Sequence, residues 1–208
     1  MIGAAGVYFP LVGLVLGLLL AFLNYGLGLY LASEILSILL IAVLIIGTGA
    51  SHLESTKSTF DAMGPKTGRA TDSHILGFIA IVFVILFKTA AIDVLDERLA
   101  VSLLLTPVAA RWALVIFIYG YHDRCEETPR VIAENVKFWH LLATTIVTLG
   151  LAFYLLGRKG LWLGLALSVF ALLSRSLLHR RHAVLTHDNF GAIIELSEVL
   201  GFVMLASL

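Results

Sequence analysis

Apolar and polar residues in this chain fall into blocks. They show neither the two-residue alternation of a half-buried strand nor the three-and-four spacing of a surface helix. Windows of roughly 20 predominantly apolar residues mark helices that cross a bilayer. Seven occur, at about 5–24, 27–48, 75–95, 99–120, 138–157, 160–178 and 190–208. Almost everything outside them is short connection. The pattern predicts an all-α, polytopic integral membrane protein of about seven transmembrane helices, with residues 1–208 forming a single membrane-embedded helical domain. Gly13 and Gly17 make a small-xxx-small pair in the first window, which predicts close packing of that helix on a neighbour. That window has no basic stretch ahead of it, is too long for a signal-peptide core, and is followed by no small-residue cleavage site after Asn24-Tyr25. It therefore reads as a retained helix.

Composition agrees. Hydrophobic residues make up 60% of the chain and charged residues 13%, against about a quarter charged in soluble domains; mean hydropathy is +0.99. A lone cysteine, Cys125, rules out an internal disulfide framework and predicts a free thiol.

The net charge of zero hides an asymmetry. Lys57, Lys66, Arg69, Arg124, Arg130, Lys137, Arg175, Arg180 and Arg181 lie in or beside three loops, whereas the opposite loops hold only Arg98, Arg158 and Lys159. By the positive-inside rule the first group is cytoplasmic. That places the N-terminus and every chemically suggestive loop in the cytoplasm and the C-terminus outside, in a cytoplasmic (inner) membrane. The second of these loops, 121–137, contains Thr128-Pro129, which predicts a short helix through Glu134.

One of those loops follows directly on the second window and reads Gly47-Thr-Gly-Ala-Ser-His52-Leu-Glu54-Ser-Thr-Lys57-Ser58-Thr-Phe-Asp61-Ala-Met-Gly64. Glu54 and Asp61 are seven residues apart, so a helix would present both carboxylates on one face. Lys57 and Ser58 lie between them. Phosphate-transfer chemistry needs a divalent cation on carboxylates and basic groups for the remaining phosphate charge. Glu54, Asp61, Asp72 and Asp188 supply the acids; Lys57, Lys66, Arg69, Arg180 and Arg181 supply the bases. The plain alternative is solvated loop acids and basic headgroup anchors.

Ionisable groups also occur inside the windows: Glu34, Lys88, Arg111, Glu195 and Glu198. Such residues normally pair with one another or line a polar cavity. The expectations are internal salt bridges, for instance Lys88 or Arg111 with Glu195, or a cytoplasm-facing cavity with Arg111 and Glu195 near its floor. His52 beside Glu54, His179-x-x-His182 and His187-Asp188 do not build a zinc motif, since no His-Glu-x-x-His and no cysteine pair exists. No phosphate-cradling glycine loop and no nucleophile elbow is present. Balanced loop charges give no support for nucleic acid as a partner.

Several segments together resemble a known family. Gly49-Ala-Ser-His52-Leu53-Glu54-Ser55-Thr-Lys-Ser58-Thr59-Phe-Asp61-Ala62 matches, without a gap, the form Gly-Gly-x-His-Leu-Asp-Gly-x-x-Asp-Thr-x-Asp-Gly. Thr186-His187-Asp188-Asn189-Phe190-Gly191-Ala192-Ile-Ile-Glu195 is similar to Thr-Gly-Asp-x-x-Gly-Ala followed by Glu. Pro107-Val-Ala-Ala-Arg111-Trp112 is similar to Pro-x-x-x-Arg-Trp, and Lys88 stands where a helix-ending Lys is found. These segments resemble the membrane-embedded cobalamin synthases, the adenosylcobinamide-GDP ribazoletransferases, in family order over roughly 45 to 200. The middle acid of the three-acid motif is Ser58 here, the Asp-Ser-Arg segment shrinks to Asp72-Ser73-His74, and a Gly-Leu-Gly element is absent from 121–137.

The resemblance implies a Mg2+-dependent transferase that joins adenosylcobinamide-GDP to α-ribazole or its phosphate and releases GMP. Its partners would be corrinoid nucleotide and nucleoside substrates and the lipid bilayer, with a homo-oligomer or other membrane subunits left open. It implies Glu54, Asp61 and Asp188 as metal ligands, with Asp188 also able to orient the acceptor hydroxyl. His52 would act as a base or support a carboxylate. Lys57, Arg69 and Arg111 would stabilise phosphate charge, and Asp72 and Glu195 would contact substrate. Ser58 and the trimmed loops motivate a second reading, a catalytically inactive paralogue serving as a small subunit of a membrane complex.

Overall fold

The computed structural model describes residues 5–64, 74–121, 126–181 and 184–208. These residues build helices and no strand: α1 (Ala5–Leu27), α2 (Ser33–Gly47), α3 (Ser51–Met63), α4 (His74–Asp93), α5 (Leu99–Ile118), α6 (Glu127–Asn135), α7 (Phe138–Leu156), α8 (Arg158–Arg181) and α9 (His187–Ser207). A short 3-10 turn, Asp96–Arg98, precedes α5. Among the described residues six helices, α1, α4, α5, α7, α8 and α9, are long and apolar enough to cross a membrane. The predicted α6 is present and begins one residue before Thr128.

The seventh expected span takes a different form. The window 27–48 yields only the 15 residues of α2, about 22 Å of helix against a hydrocarbon core of about 30 Å. Its first residues complete α1 and the turn that follows. α3 continues from α2 at an angle of 85°, and this bent pair, counted as one broken span, brings the number to seven. Gly49 (φ 61°) and Ala50 (φ 58°) both adopt the left-handed conformation. Glycine does so without a steric penalty and closes α2, whereas Ala50 carries the cost of its Cβ. The Gly49 and Ala50 N–H groups donate to the carbonyls of Ile46 and Ile45, at 2.9 and 2.8 Å. Two successive left-handed residues thus turn an apolar helix into a polar one lying across it. Glu34, expected inside a span, sits exposed in the first turn of α2, where a carboxylate complements the helix dipole.

α5 is the central helix, 83% of its apolar window being buried, against 17% for α7 at the periphery. α1 lies against it at backbone distance. A Cβ added to Gly13 would come within 2.4 Å of the Pro107 carbonyl oxygen, and one added to Gly17 within 2.5 Å of that of Leu104. In lipid, helices associate through such close packing because no water is released between them. The small-xxx-small pair therefore acts as the sequence predicts.

Four buried charges join α4, α5 and α9. Lys88 Nζ lies 2.5 Å from Glu195 Oε1 and 2.6 Å from Glu198 Oε2, and Arg111 Nη1 pairs with Glu198 Oε1. Two cations face two anions, so the cluster is neutral. This matches the expected salt bridges and shows Glu198 to be the residue shared by both cations. Arg111 and Glu195 are closed off from solvent, at 2% and 4% exposure, so the expected cavity floored by them is not open here. The pairing has a physical reason: an unpartnered charge at this depth costs several kcal/mol or more.

Candidate active site

α3 is the polar helix at the elbow, and its spacing does put Glu54, Ser58 and Asp61 on one face. The other side, with Ser55, Thr56 and Thr59, is buried. Two glycines let neighbouring helices close on it. A Cβ on Gly77, in the first turns of α4, would meet the Lys57 carbonyl oxygen at 2.4 Å, and one on Gly191, in the first turns of α9, would meet Ser55 Oγ at 2.4 Å. The motif helix is therefore clamped between the starts of α4 and α9.

Specific hydrogen bonds fix both contacts. Asp61 Oδ1 accepts the Gly77 N–H at 2.7 Å, and Asp61 Oδ2 pairs with Lys57 Nζ at 2.9 Å. Asp61 thus supplies an anionic acceptor to a backbone N–H near the positive end of α4. On the other side Asn189, 3% exposed, donates from Nδ2 to Thr59 Oγ1 at 3.1 Å and accepts the Thr186 N–H at 2.9 Å. Asn189 did not stand out in the sequence. The signal was there, since Thr186-x-x-Asn189 is a capping-box spacing, and α9 starts on that box.

The remaining site residues separate into groups. Glu54 is exposed and Asp188, in the first turn of α9, is half-buried. His52 keeps a buried Nδ1 with no hydrogen-bond partner among the described residues. Arg111 and Glu195 belong to the neutral cluster deeper in the bundle. Lys66, Arg69, Asp72 and Cys125 lie outside the described residues, as does the side chain of Arg181.

Among the described residues no three His, Cys, Asp or Glu side chains stand close enough to enclose a metal ion. Glu54 and Asp61 start about 10 Å apart along the helix axis. The donor set does not fit a closed all-protein cage. It does fit Mg2+, which normally takes one or two carboxylates together with water and substrate phosphates.

At the same end of the bundle the other loops converge. Tyr121 OH and His179 Nδ1 lie 2.5 Å apart, the Arg175 guanidinium lies 4.6 Å from the centre of the Tyr121 ring, and the Glu126 N–H donates to the Leu185 carbonyl at 3.0 Å. The three segments that sequence reasoning assigned to one face meet there.

A helical bundle with an acid-bearing elbow docked on the start of its last helix can be compared with known proteins. A family model described as CobS, cobalamin-5-phosphate synthase, matches residues 1–206. The chain belongs to this family. An adenosylcobinamide-GDP ribazoletransferase of Geotalea daltonii is 29% identical over 216 residues, covering 100% of this chain and 87% of the relative. Proteins of the same name from Desulforamulus reducens and Roseiflexus sp. are 30% and 29% identical, covering 92% and 95% of this chain and 81% and 77% of those relatives. No solved structure matches. Within the family frame, the buried contacts of α3 fall on motif positions: Thr59 bonds to α9, and Ser55 faces Gly191.

Proposed function

We propose that the protein joins adenosylcobinamide-GDP to α-ribazole or its phosphate, with release of GMP. One observation carries this reading: in a chain matched over nearly its whole length by the family, α3 with Glu54 and Asp61 is docked on the first turns of α9, which carry Asp188. The acceptor hydroxyl oxygen forms a bond to the phosphorus on the cobinamide side, and the bond from that phosphorus to the GMP oxygen breaks. Asp188 holds the acceptor hydroxyl and takes its proton; His52, with an unpartnered ring nitrogen, supports that transfer. Lys57 and Arg69 neutralise phosphate charge, Asp72 contacts the donor, and Arg111 and Glu195 act by fixing α9.

Mg2+ held by one or two of the carboxylates Glu54, Asp61 and Asp188, with the substrate's phosphates and water completing its shell, would supply charge neutralisation at the diphosphate. Since the donor is a charged nucleotide that cannot cross lipid, the site belongs on the cytoplasmic face of the inner membrane, with the N-terminus on that side and the C-terminus outside.

The test is conversion of adenosylcobinamide-GDP and α-ribazole by the purified protein in lipid with Mg2+, read as GMP release. Asp61→Asn keeps an oxygen for the Gly77 N–H and removes the charge. A loss of about 100-fold or more is expected, on the scale of removing one electrostatic contact in a transition state; an unchanged rate refutes the assignment. Ser58 in place of an acid favours the inactive-subunit reading, which instead expects no turnover and stoichiometric co-purification with other membrane proteins.

A further inference from the structure

The helices that carry the acids also wall a small cavity of about 190 Å3 between α3, α8 and α9. Phe60 and Phe170 are the aromatic residues of its lining, Ala192 and Ile193 are among the aliphatic ones, and Thr59 and Ser174 provide hydroxyls. No charged side chain lines it among the described residues. Its volume is below the roughly 300–1,000 Å3 of pockets for drug-sized ligands, so a corrin macrocycle is excluded and a single fused ring system is admitted; with two hydroxyls as its polar groups, the lining suits an apolar base better than a guanine, whose amide and amino groups would be left unpaired.

Its position is as informative as its size. Asp188 precedes Ala192 by four residues, so it stands one turn above the cavity wall on the same face of α9, a rise of about 6 Å. Thr59 accepts a hydrogen bond from Asn189, and its own O–H, for which no acceptor is found among the described residues, remains able to donate. A second cavity, of about 370 Å3, has a different character. It runs along α4 from Leu76 to Phe87 without a polar side chain, a length of about 16 Å, as suits an acyl chain.

We propose that the cavity between α3, α8 and α9 receives the base of the acceptor nucleoside, the flat, uncharged dimethylbenzimidazole ring of ribazole, and so sets the ribose hydroxyl beside Asp188. This rests on the transferase reading above. The ring stacks on Phe60 and Phe170, its methyl groups meet the aliphatic lining, and its free ring nitrogen accepts from Thr59.

The experiment is steady-state kinetics of the full chain in lipid, varying donor and acceptor separately, with α-ribazole and with its analogue lacking both methyl groups. Ser174→Phe fills the cavity and Phe170→Ala removes one stacking face. Each variant is expected to raise the acceptor KM about tenfold or more while the donor KM stays within about twofold, and wild-type kcat/KM is expected to fall about tenfold or more for the unmethylated acceptor. Phe170→Ala should also narrow the discrimination between the two acceptors. An acceptor KM unmoved in both variants, or a donor KM that rises in parallel, overturns the cavity assignment alone. So does Ser174→Phe that only lowers co-purifying phospholipid, which would mark a lipid site. Absence of wild-type turnover with either acceptor overturns the transferase reading and this assignment together.

Discussion

Glu198→Gln is the sharpest test of how the fold holds the site. Glu198 is 0% exposed, and each of its oxygens has one cation, Arg111 or Lys88. Glutamine has nearly the same shape, so no cavity opens and the change is electrostatic. It leaves two buried cations facing one carboxylate. At an effective dielectric of about 20, one ion pair at about 3 Å is worth roughly 5 kcal/mol, and part of that loss is offset because Glu198 no longer has to be desolvated. Removing one partner of a buried pair costs about 3–5 kcal/mol in practice, and that is the expected loss. Unfolding by SDS titration in mixed micelles, followed by tryptophan fluorescence in a Trp139→Phe, Trp162→Phe background, measures it, because the remaining Trp112 is buried beside Arg111 on α5. Adding Lys88→Met restores neutrality, with Arg111 left facing Glu195. The double variant should regain about 2 kcal/mol over Glu198→Gln alone. If Glu198→Gln lies within about 1 kcal/mol of wild type, or if Lys88→Met lowers stability further, the cluster is not the lock described.

Gly191→Ala should lower turnover about tenfold or more, because its Cβ would fall 2.4 Å from Ser55 Oγ and overpacking shifts the backbone; adding Ser55→Gly should restore part of the rate. Ser58→Asp places a third carboxylate between Glu54 and Asp61 on the same face of α3, and should lower the Mg2+ concentration needed for half-maximal turnover, since each added carboxylate is a hard ligand and a unit of charge. In a Cys125→Ser background, cysteines at the exposed positions Ala62 and His187 should label with an impermeant thiol reagent from the cytoplasmic side only, and one at exposed Tyr30 from the other side only; labelling of 62 and 187 from opposite sides refutes the shared face.

The sequence carried most of the architecture because in a membrane the apolar windows are the helices. It carried the close packing of α1 on a neighbour, since Gly13 and Gly17 have few other uses in such a window; that the neighbour is α5 came only from the structure. The elbow was not legible. Window 27–48 looks continuous, and nothing local says that Gly49 and Ala50 both turn left-handed; that follows from docking α3 on α4 and α9. The acidic pair was legible as a helical face, but not that Asp61 would be tied to Lys57 and the Gly77 N–H. Such a contact joins residues 16 apart through a tertiary approach that Gly77 permits. Glu198 was legible as a membrane charge needing a partner. Its place between two cations depends on the register of α9 against α4 and α5.

That register bears on which cations are free to meet a diphosphate. Lys88 and Arg111 are the most deeply placed positive charges, and the resemblance to the family suggests Arg111 as a phosphate contact. In this structure both are neutralised by Glu195 and Glu198 and closed off from solvent. A phosphate recruiting Arg111 would have to leave Glu198 with one partner fewer in a water-free interior, at a cost comparable to the stabilisation the new ion pair would bring. Lys57 is different: 39% of its side chain is exposed, its ammonium sits on α3 between the two acids, and its pair with Asp61 is open to solvent on the lysine side. Exchanging that partner for a phosphate replaces one ion pair with another at a place that water reaches, and so costs less than breaking into the buried cluster. On the proposed transferase reading, the charge that answers the substrate belongs on the elbow helix, and the deeper charges act by holding α9, and with it Asp188, in place.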